Sequence, residues 1–378
     1  MQGDNLGINK NPITADHKVW PRVGIIVLNW NGWQHTLACL NTIFQLDYPE
    51  YFTIIVDNGS GDDSVERIRR WAEKRSESGF VMAEYLQHEL SHVITSDDDS
   101  ILDALPSNRR MVFIRTAENL GFAEGNNIAI RYALGRRNCA DYIFLLNNDT
   151  WVENACIARL MDVVRKTGAH IVGALIKDYD SDDIQAKVDL ENRYTFVAEI
   201  FSPLANSFLS RPNYEKDHYQ CSWLGANGLL VSSTFLNYVF SLTQRYIETA
   251  FFMYCEDTEL CFFARQLGYK CVVSRDAIIH HRLAGSSGGM YNPIAYYYSN
   301  RNLTYLADRY LPRILKPVFL IYMPLNALIR IIKNILIGRY CSAKAIFCGV
   351  LDAYKGITGK WKYHDEYLRR RTGLKQDN

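Results

Sequence analysis

Hydrophobic and polar positions alternate along the first part of the chain in blocks with the lengths of strands and helices. A β-branched run at Val23–Leu28 predicts a strand, and apolar residues follow it at helical spacing from Trp33 to Phe44. A second buried strand is expected at Phe52–Val56, and a helix begins near Val65 after a polar turn that contains glycine. This order is typical of an α/β protein with a mostly parallel sheet, in which ligands bind at the carboxyl ends of the strands.

Later segments extend the same pattern. Strands are predicted at Met111–Ile114, Tyr142–Leu146 and 171–176, and the apolar residues from Leu260 to Leu267 predict one face of a helix. Two stretches, 76–110 and 178–220, are irregular, and the pattern assigns neither of them a role.

The segment from Ile314 to Ile337 has another character. It is rich in Leu, Ile, Phe and Val, but charged residues and prolines interrupt it. Its longest uncharged apolar run is shorter than the roughly 18 to 20 residues that cross a bilayer. Basic residues between apolar ones favour amphipathic helices lying on an anionic membrane surface, and helices packed on the body of the protein are the alternative.

Composition adds an asymmetry to this picture. The chain of 378 residues has a net charge of +1, but residues 311–378 contain 13 Lys and Arg against 4 Asp and Glu. This basic tail is apolar where a nucleic-acid groove would be polar, so we expect no nucleic-acid partner. The nine cysteines form no C-x-x-C pair, and the N-terminal stretch 1–21 is polar and lacks an apolar signal segment. Both features favour a cytoplasmic protein with reduced thiols.

Candidate chemistry is concentrated where predicted strands end. The strand at 142–146 leads directly into Asn147, Asn148 and Asp149. Hard oxygen donors at such an edge suit Mg²⁺ or Mn²⁺ bridging a diphosphate, although a strand that ends in Asn and Asp is more often a simple turn.

Amides, a carboxylate and glycines follow other strands. Asp57 is placed to accept hydrogen bonds from a nucleobase or ribose, and the loop before the helix at Ile128 suits phosphate because helix N-termini attract anions. A plain turn is the alternative for each segment. The candidates for binding the donor in these loops are Asn29, Asn31, Asp57, Asn58, Asn119, Gly121 and Asn126.

Two further segments carry titratable groups. Glu256 and Asp257 open the predicted helix, where its positive end should lower their pKa values and keep a general base ionised. A simple N-terminal helix charge is the other interpretation. His280 or His281 follows an apolar run and is a candidate for a metal or diphosphate contact, with a structural histidine as the alternative.

Together these segments resemble glycosyltransferase family 2, inverting enzymes with the GT-A fold, and within it the bacterial rhamnosyltransferase-like members. The resemblance covers roughly residues 22–310. The matching motifs, in the order of the family, are VLNWNG at 27–32, VDNGSGD at 56–62, ENLGFAEGNN at 118–127, LLNNDT at 145–150, LGANGLLV at 224–231, FFMYCEDTELCFFARQLGY at 251–269, HRLAGSSGG at 281–289 and SNRN at 299–302.

The resemblance implies roles for individual residues. Asp149 would hold the divalent cation, with Asn147 at the position of the first aspartate of the metal motif and His281, in preference to His280, completing the site. Asp57 would contact the nucleobase, with Asn29 and Asn119 nearby, and Asn148 is a further candidate for binding the donor. Asp257, beside Glu256, would be the catalytic base, and Gly225 and Ala226 would line the sugar and acceptor region.

The expected protein is therefore a GT-A glycosyltransferase with C-terminal amphipathic helices. The resemblance divides it into an N-terminal tail (1–21), a donor half (22–150), an acceptor half (151–310) and a basic helical tail (311–378). It would move a sugar from a donor such as dTDP-rhamnose or a UDP-sugar, with Mn²⁺ or Mg²⁺, to a glycan or lipid-linked acceptor in cell-surface polysaccharide assembly such as that of O-antigen. The charged tail places it peripherally on the cytoplasmic face of the inner membrane.

Two other classes of protein share part of this pattern. A nucleotide-dependent oxidoreductase of the Rossmann type requires G-x-G-x-x-G after the first strand, and residues 29–32 read Asn-Trp-Asn-Gly. A catalytically silent sugar-nucleotide-binding or scaffold protein remains an alternative because Asn147 departs from the full metal motif.

Overall fold

The computed structural model describes residues 20–96, 100–181, 183–184, 216–282 and 292–367. Within these ranges ten strands form one sheet and ten α-helices surround it. The strands are β1 (Val23–Asn29), β2 (Tyr51–Asp57), β3 (Val81–Leu86), β4 (Arg110–Arg115), β5 (Tyr142–Asn147), β6 (Thr150–Val152), β7 (Ile171–Asp178), β8 (His218–Cys221), β9 (Leu229–Ser232) and β10 (Cys271–His281).

The helices follow the strands along most of the chain and then form a C-terminal group of three. They are α1 (Trp33–Ile43), α2 (Ser64–Glu73), α3 (Leu90–Ser96), α4 (Gly121–Gly135), α5 (Cys156–Thr167), α6 (Ser233–Thr243), α7 (Glu256–Gln266), α8 (Pro293–Tyr310), α9 (Lys316–Leu336) and α10 (Tyr340–Tyr354).

The strand order is β3-β4-β2-β1-β5-β9-β7-β10-β6, with β8 also paired to β10. The first five strands are parallel, whereas β9 runs antiparallel between β5 and β7. The predicted α/β class with a mostly parallel sheet is confirmed. The register aligns Asn29 with Asp57 and Leu28 with Asn147, so the carboxyl ends of β1, β2 and β5 meet at one edge.

Alternating residues of the central strands explain why these segments are apolar throughout. Val23, Ile25 and Val27 pack on α1, α2 and α5, while Ile26 of the same strand packs with α3, α4 and α6 on the opposite face. A strand covered by helices on both sides needs apolar residues at every position. The sheet is therefore a buried platform for the loops at its carboxyl edge.

The stretch 76–110, which the pattern left without a role, extends the sheet. It supplies the edge strand β3 and helix α3. Asp103 anchors it, because its carboxylate is bonded by Arg22, by Arg136 at 3.2 Å and by Asn138 at 2.9 Å. The other unassigned stretch, 178–220, begins at the last residue of β7 and reaches into β8, and its residues 182 and 185–215 lie outside the described ranges.

The C-terminal helices pack on α8. The Tyr297 hydroxyl donates to Asp352 of α10 at 2.7 Å, and its ring stacks on Trp361 with centroids 4.3 Å apart. Helix α9 continues through Pro324, and by length and composition alone it is long and apolar enough to cross a bilayer. The interruptions seen in the sequence therefore do not break this segment into shorter helices.

Candidate active site

Asn29 and Asp57 form a buried pair at the ends of β1 and β2. The Asn29 amide donates to Asp57 Oδ2 at 2.8 Å, and its carbonyl accepts from the Thr36 hydroxyl at 2.7 Å. Ser60 N–H donates to Asp57 Oδ1 at 3.0 Å. Asp57 is 2% exposed, so this network fixes its carboxylate at the sheet edge. Asn31 is exposed beside it and accepts from Gly61 N–H at 2.8 Å, which joins the two loops.

Asn58 connects the end of β2 to the Gly–Asn loop at 119–121. Its amide donates to the Gly121 carbonyl at 3.0 Å and to Asn119 Oδ1 at 3.2 Å, and its carbonyl accepts from Leu120 N–H at 3.1 Å. Gly121 opens α4 with a φ of +85°, and an added Cβ there would lie 2.4 Å from the Phe252 carbonyl oxygen. The loop therefore lies against the segment that leads to Glu256.

Asp149 and His281 are adjacent at the same edge. His281 Nε2 lies 3.2 Å from Asp149 Oδ1, and the Asp149 side chain is 2% exposed. This contact follows from the pairing of β6 with β10, which sets His281 opposite Thr150. His280 points elsewhere, to Glu153 Oε1 at 3.2 Å and against the Trp151 ring. Of the two histidines, His281 is the one beside Asp149.

Three residues that were predicted to bind the donor or the metal show no side-chain hydrogen bond to the Asn29–Asp57 pair or to the Asp149–His281 pair among the described residues. The Asn148 amide donates to the Thr36 hydroxyl at 3.0 Å beneath the start of α1, and the Asn126 amide bonds the Phe122 carbonyl of its own helix at 2.8 Å. Asn147 is half-buried at the end of β5. Asn148 and Asn126 thus hold loops and helices in place, and their roles in donor binding stay predictions.

Glu256 and Asp257 begin α7, as the sequence indicated. The expectation that the helix terminus lowers their pKa values is wrong. Burial raises the pKa of Glu256 well above its usual value, the nearby Asp257 charge adds to this, and Glu256 Oε2 has no hydrogen-bond partner among the described residues. Loss of hydration outweighs the favourable helix terminus.

Asp257 is better solvated by the protein. Burial raises its pKa too, and hydrogen bonds to its carboxylate oppose this rise. The donors are Thr258 N–H at 2.7 Å, Ala226 N–H at 3.1 Å and the Thr258 hydroxyl at 3.3 Å. Gly225 and Ala226 therefore lie directly beside Asp257. A carboxylate that is largely buried but still reaches the surface, and whose pKa is raised, has the properties of a general base.

Sequence reasoning missed several residues that support this edge. Thr36 and Ser60 are the partners of Asn29 and Asp57, and their short polar side chains gave no signal of their own. Phe252 joins the Gly–Asn loop to α7, because its carbonyl accepts from Phe122 N–H at 2.7 Å. Arg301 and Asn302 were noted only as part of the SNRN motif.

The residues at the edge fit a divalent cation that a substrate helps to bind. In the described ranges no three His, Cys, Asp or Glu side chains are arranged to hold a metal ion unaided. Asp149 and His281 nevertheless bring a carboxylate oxygen and an imidazole nitrogen to one place. Mg²⁺ and Mn²⁺ in phosphate-transferring sites are often held by one or two protein ligands together with phosphate oxygens.

Comparison with known families decides the assignment. A profile of glycosyl transferase family 2 matches residues 24–223, more than half of the chain. The chain belongs to glycosyl transferase family 2. The matched range includes the Asn29–Asp57 pair, the Gly–Asn loop and Asp149, and it ends just before Gly225. This family 2 glycosyltransferase has no match among curated protein sequences.

Solved structures share its fold at low sequence identity. The mannosyltransferase PcManGT from Pyrobaculum calidifontis, in complex with GDP-Man and Mn²⁺, is 13% identical with a TM-score of 0.51, and the match covers 89% of this chain and 87% of that one. GalNAc-T7 with UDP, GalNAc and Mn²⁺ is 13% identical with a TM-score of 0.50; the match covers 77% of this chain but 48% of that protein. The expected GT-A fold is confirmed, and the rhamnosyltransferase-like subtype stays a prediction.

Proposed function

We propose that this glycosyltransferase is an inverting, metal-dependent enzyme that transfers a sugar from a nucleoside diphosphate to a hydroxyl of a lipid-linked glycan at a membrane surface. The observation that carries the proposal is the meeting of three groups at one sheet edge: the Asn29–Asp57 pair, the Asp149–His281 pair and the loop that presents Asp257. Nucleotide, diphosphate and acceptor each have a candidate partner there.

The proposed reaction is a single displacement. The acceptor hydroxyl loses its proton to Asp257, its oxygen forms a bond to the anomeric carbon, and the bond between that carbon and the diphosphate oxygen breaks with its electron pair leaving on the diphosphate. Asp149 and His281 would hold the divalent cation, which neutralises charge on the departing diphosphate when it is bound. Asp57 and Asn29 orient the nucleoside.

The first test is a panel of donors with and without MnCl₂ or MgCl₂. We would measure binding and slow hydrolysis of dTDP-rhamnose, UDP-hexoses, UDP-galactofuranose and GDP-mannose, the last because PcManGT is complexed with GDP-Man. Binding of one donor in the presence of metal is expected, with loss in Asp149→Ala. Failure of every donor to bind would favour the silent scaffold.

Three variants separate the roles. His281→Ala should weaken metal-dependent nucleotide binding more than His280→Ala, because His281 lies beside Asp149 and His280 lies against Trp151. Asp257→Asn should keep donor affinity and lose about 10²- to 10⁴-fold in turnover, the usual contribution of a general base. Near-normal turnover in Asp257→Asn would contradict the proposed base.

Membrane contact rests on the outer face of α9. Its inner stripe, which includes Phe319, Met323 and Ala327, is buried on the protein, whereas the outer stripe is exposed. The outer stripe contains Ile321 at 66%, Ile329 at 67% and Leu336 at 79% exposure, together with Val318, Leu325, Leu328, Ile332 and Ile335. Apolar side chains exposed at this spacing along one helix form a continuous surface suited to the lipid interface.

Charge and attachment favour an anionic leaflet, with α9 lying along it. Residues 311–357 contain seven Lys and Arg and one acid, Asp352, which accepts from Tyr297. Each basic residue near an anionic leaflet contributes about 1 kcal/mol. Arg330, in the C-terminal half of α9, donates to Asn300 of α8 at 3.0 Å, which ties the helix to α8. This arrangement suits an interfacial helix better than a spanning one.

The matched test uses Ile321→Glu/Leu328→Glu and the control Leu242→Glu, since Leu242 on α6 and Leu328 are both 52% exposed. Intact protein should co-sediment with phosphatidylglycerol-containing vesicles at low salt, and the double variant should not, because each apolar side chain withdrawn from water contributes about 1.5–3 kcal/mol. If the wild type were a dimer that did not bind vesicles, and the double variant were a monomer, the face would be an interface between two copies.

A further inference from the structure

The segment before α7 has an unusual backbone. Phe252, Tyr254 and Cys255 have φ values of +63°, +65° and +72°, and Glu256 and Asp257 follow immediately. Side chains of this size rarely adopt the left-handed region, and such a conformation persists only where the surroundings determine it. We call residues 251–255 the base loop.

Asn302 of α8 holds the carbonyls of the base loop. Its Nδ2 lies 3.0 Å from Phe251 O, 2.8 Å from Met253 O and 2.7 Å from Tyr254 O. Asn302 is fully buried, and its two N–H bonds are shared among the three carbonyls, of which Phe251 O also accepts from Arg301. One amide group therefore bridges the turn that reverses the chain before Asp257.

Arg301 orients that amide and adds a second connection. Its Nε donates to Asn302 Oδ1 at 2.9 Å, and its Nη2 donates to Phe251 O at 2.8 Å. Nη1 donates to the carbonyl of Gly359, beyond α10. The guanidinium lies between the rings of Tyr297 and Tyr298, at 5.3 and 4.9 Å from their centroids.

The base loop also touches the donor side. Phe252 O accepts from Phe122 N–H at 2.7 Å, next to Gly121 of the Gly–Asn loop. A shift of Phe252 would therefore move the start of α4 as well as the residues that lead to Asp257.

We propose that Arg301 and Asn302 are positioning residues, which fix the base loop so that Asp257 is held where it can act on the acceptor hydroxyl. This inference rests on the proposed role of Asp257. Neither residue needs to touch substrate, and their effect would be transmitted through the carbonyls of residues 251–254.

The test compares Asn302→Asp with Asn300→Asp. The first replaces the bridging amide by an acceptor that repels three carbonyls. Asn300 is the matched control, since it is buried on the same helix and its amide bonds Tyr296 O within that helix. The assays are metal-dependent hydrolysis of the donor preferred in the panel, affinity for the corresponding nucleoside diphosphate with Mn²⁺, and thermal stability.

Asn302→Asp should lower kcat about 100-fold, the effect of a misplacement of about 1 Å, with donor affinity nearly unchanged. The pH–kcat profile should also change, and it is measured on Asn302→Ser, which adds no negative charge near Asp257: freeing the loop admits water to Asp257, its raised pKa falls, and the acid limb moves to lower pH. A merely structural role would leave this limb in place. Asn302→Ser, which keeps one donor, also replaces the aspartate variant in the kcat comparison if that variant does not fold, with a smaller loss expected.

A kcat equal to that of Asn300→Asp, or a loss explained entirely by the unfolded fraction, would overturn the inference. Asp257→Asn is measured in parallel. If Asp257→Asn keeps its turnover, the proposed role of Asp257 as the base is wrong. If Asp257→Asn is inactive while Asn302→Asp has normal turnover, only the positioning role of Asn302 is wrong.

Discussion

Replacing Gly121 by alanine tests whether the donor loop and the base loop depend on each other. Gly121 has a φ of +85°, and its added Cβ would lie 2.4 Å from Phe252 O and 2.7 Å from Cδ2 of the Phe252 ring. Because ordinary contacts are near 3.4 Å, Phe252 must move by about 1 Å, a displacement that is sufficient to disturb a catalytic group.

The cost has three parts. A left-handed alanine costs about 1–2 kcal/mol, loss of the Phe122–Phe252 hydrogen bond about 1 kcal/mol, and crowding of a packed site about 1–3 kcal/mol. The sum is about 3–6 kcal/mol. Gly268 supplies the control, since its φ is +84° and no atom lies within 4 Å of an added Cβ. Gly268→Ala should therefore lose only the first part, about 1–2 kcal/mol.

Urea unfolding of both variants measures these free energies, and metal-dependent donor hydrolysis, corrected for the folded fraction, measures the effect on the site. Gly121→Ala should lose about 100-fold in turnover, and Gly268→Ala should keep its turnover. Equal losses of stability and turnover in the two variants would show that the contact between Gly121 and Phe252 carries neither effect.

Three other changes test separate features. Asp103→Ala should destabilise the fold by about 3–5 kcal/mol in urea unfolding, because it removes the carboxylate that faces the buried guanidinium groups of Arg110 and Arg136, while turnover of the folded fraction stays normal. Thr258→Val removes a hydrogen bond that lowers the pKa of Asp257, so the acid limb of the pH–turnover profile should move to higher pH; an unmoved limb would contradict the assignment of that limb to Asp257. Glu256→Gln should become more stable relative to the wild type as pH rises from about 4.3 toward the raised pKa of Glu256. In this range the unfolded wild type has already lost the Glu256 proton while the native wild type still holds it, so each rise in pH favours the unfolded wild type, and glutamine removes this effect. Melting temperatures measured across pH check this, and a constant difference between the two proteins would refute it.

The parallel part of the fold could be predicted because its signals are local. β1, β2, β4 and β5 each contain a continuous apolar run, and the structure extends those runs by only one or two residues. The insertion of β9 between β5 and β7 could not be predicted in the same way. Its four residues form an antiparallel pairing with segments far away in the chain, and such pairing depends on the register of the whole sheet.

The positions of the site residues at the strand ends were predicted correctly, but the directions in which their side chains point were predicted less well. Strand ends located Asn29, Asp57 and Asp149, because a sheet brings its carboxyl ends to one edge. The pattern could not show that Asn148 turns toward Thr36 or that Asn126 bonds its own helix, since side-chain direction depends on neighbouring elements. It also gave the wrong direction for the pKa of Glu256 because burial is a property of the packed structure.

The basic tail and the catalytic edge are connected more closely than charge alone suggested. Contacts cross the predicted boundary at residue 311: Arg330 bonds Asn300, Asp352 accepts from Tyr297, and Gly359 accepts from Arg301. All three end on α8, the helix that also carries Asn302. The proposed lipid-facing helix and the loop that precedes Asp257 are therefore both bonded to α8, so a movement of the C-terminal helices that displaced α8 would also disturb the proposed base.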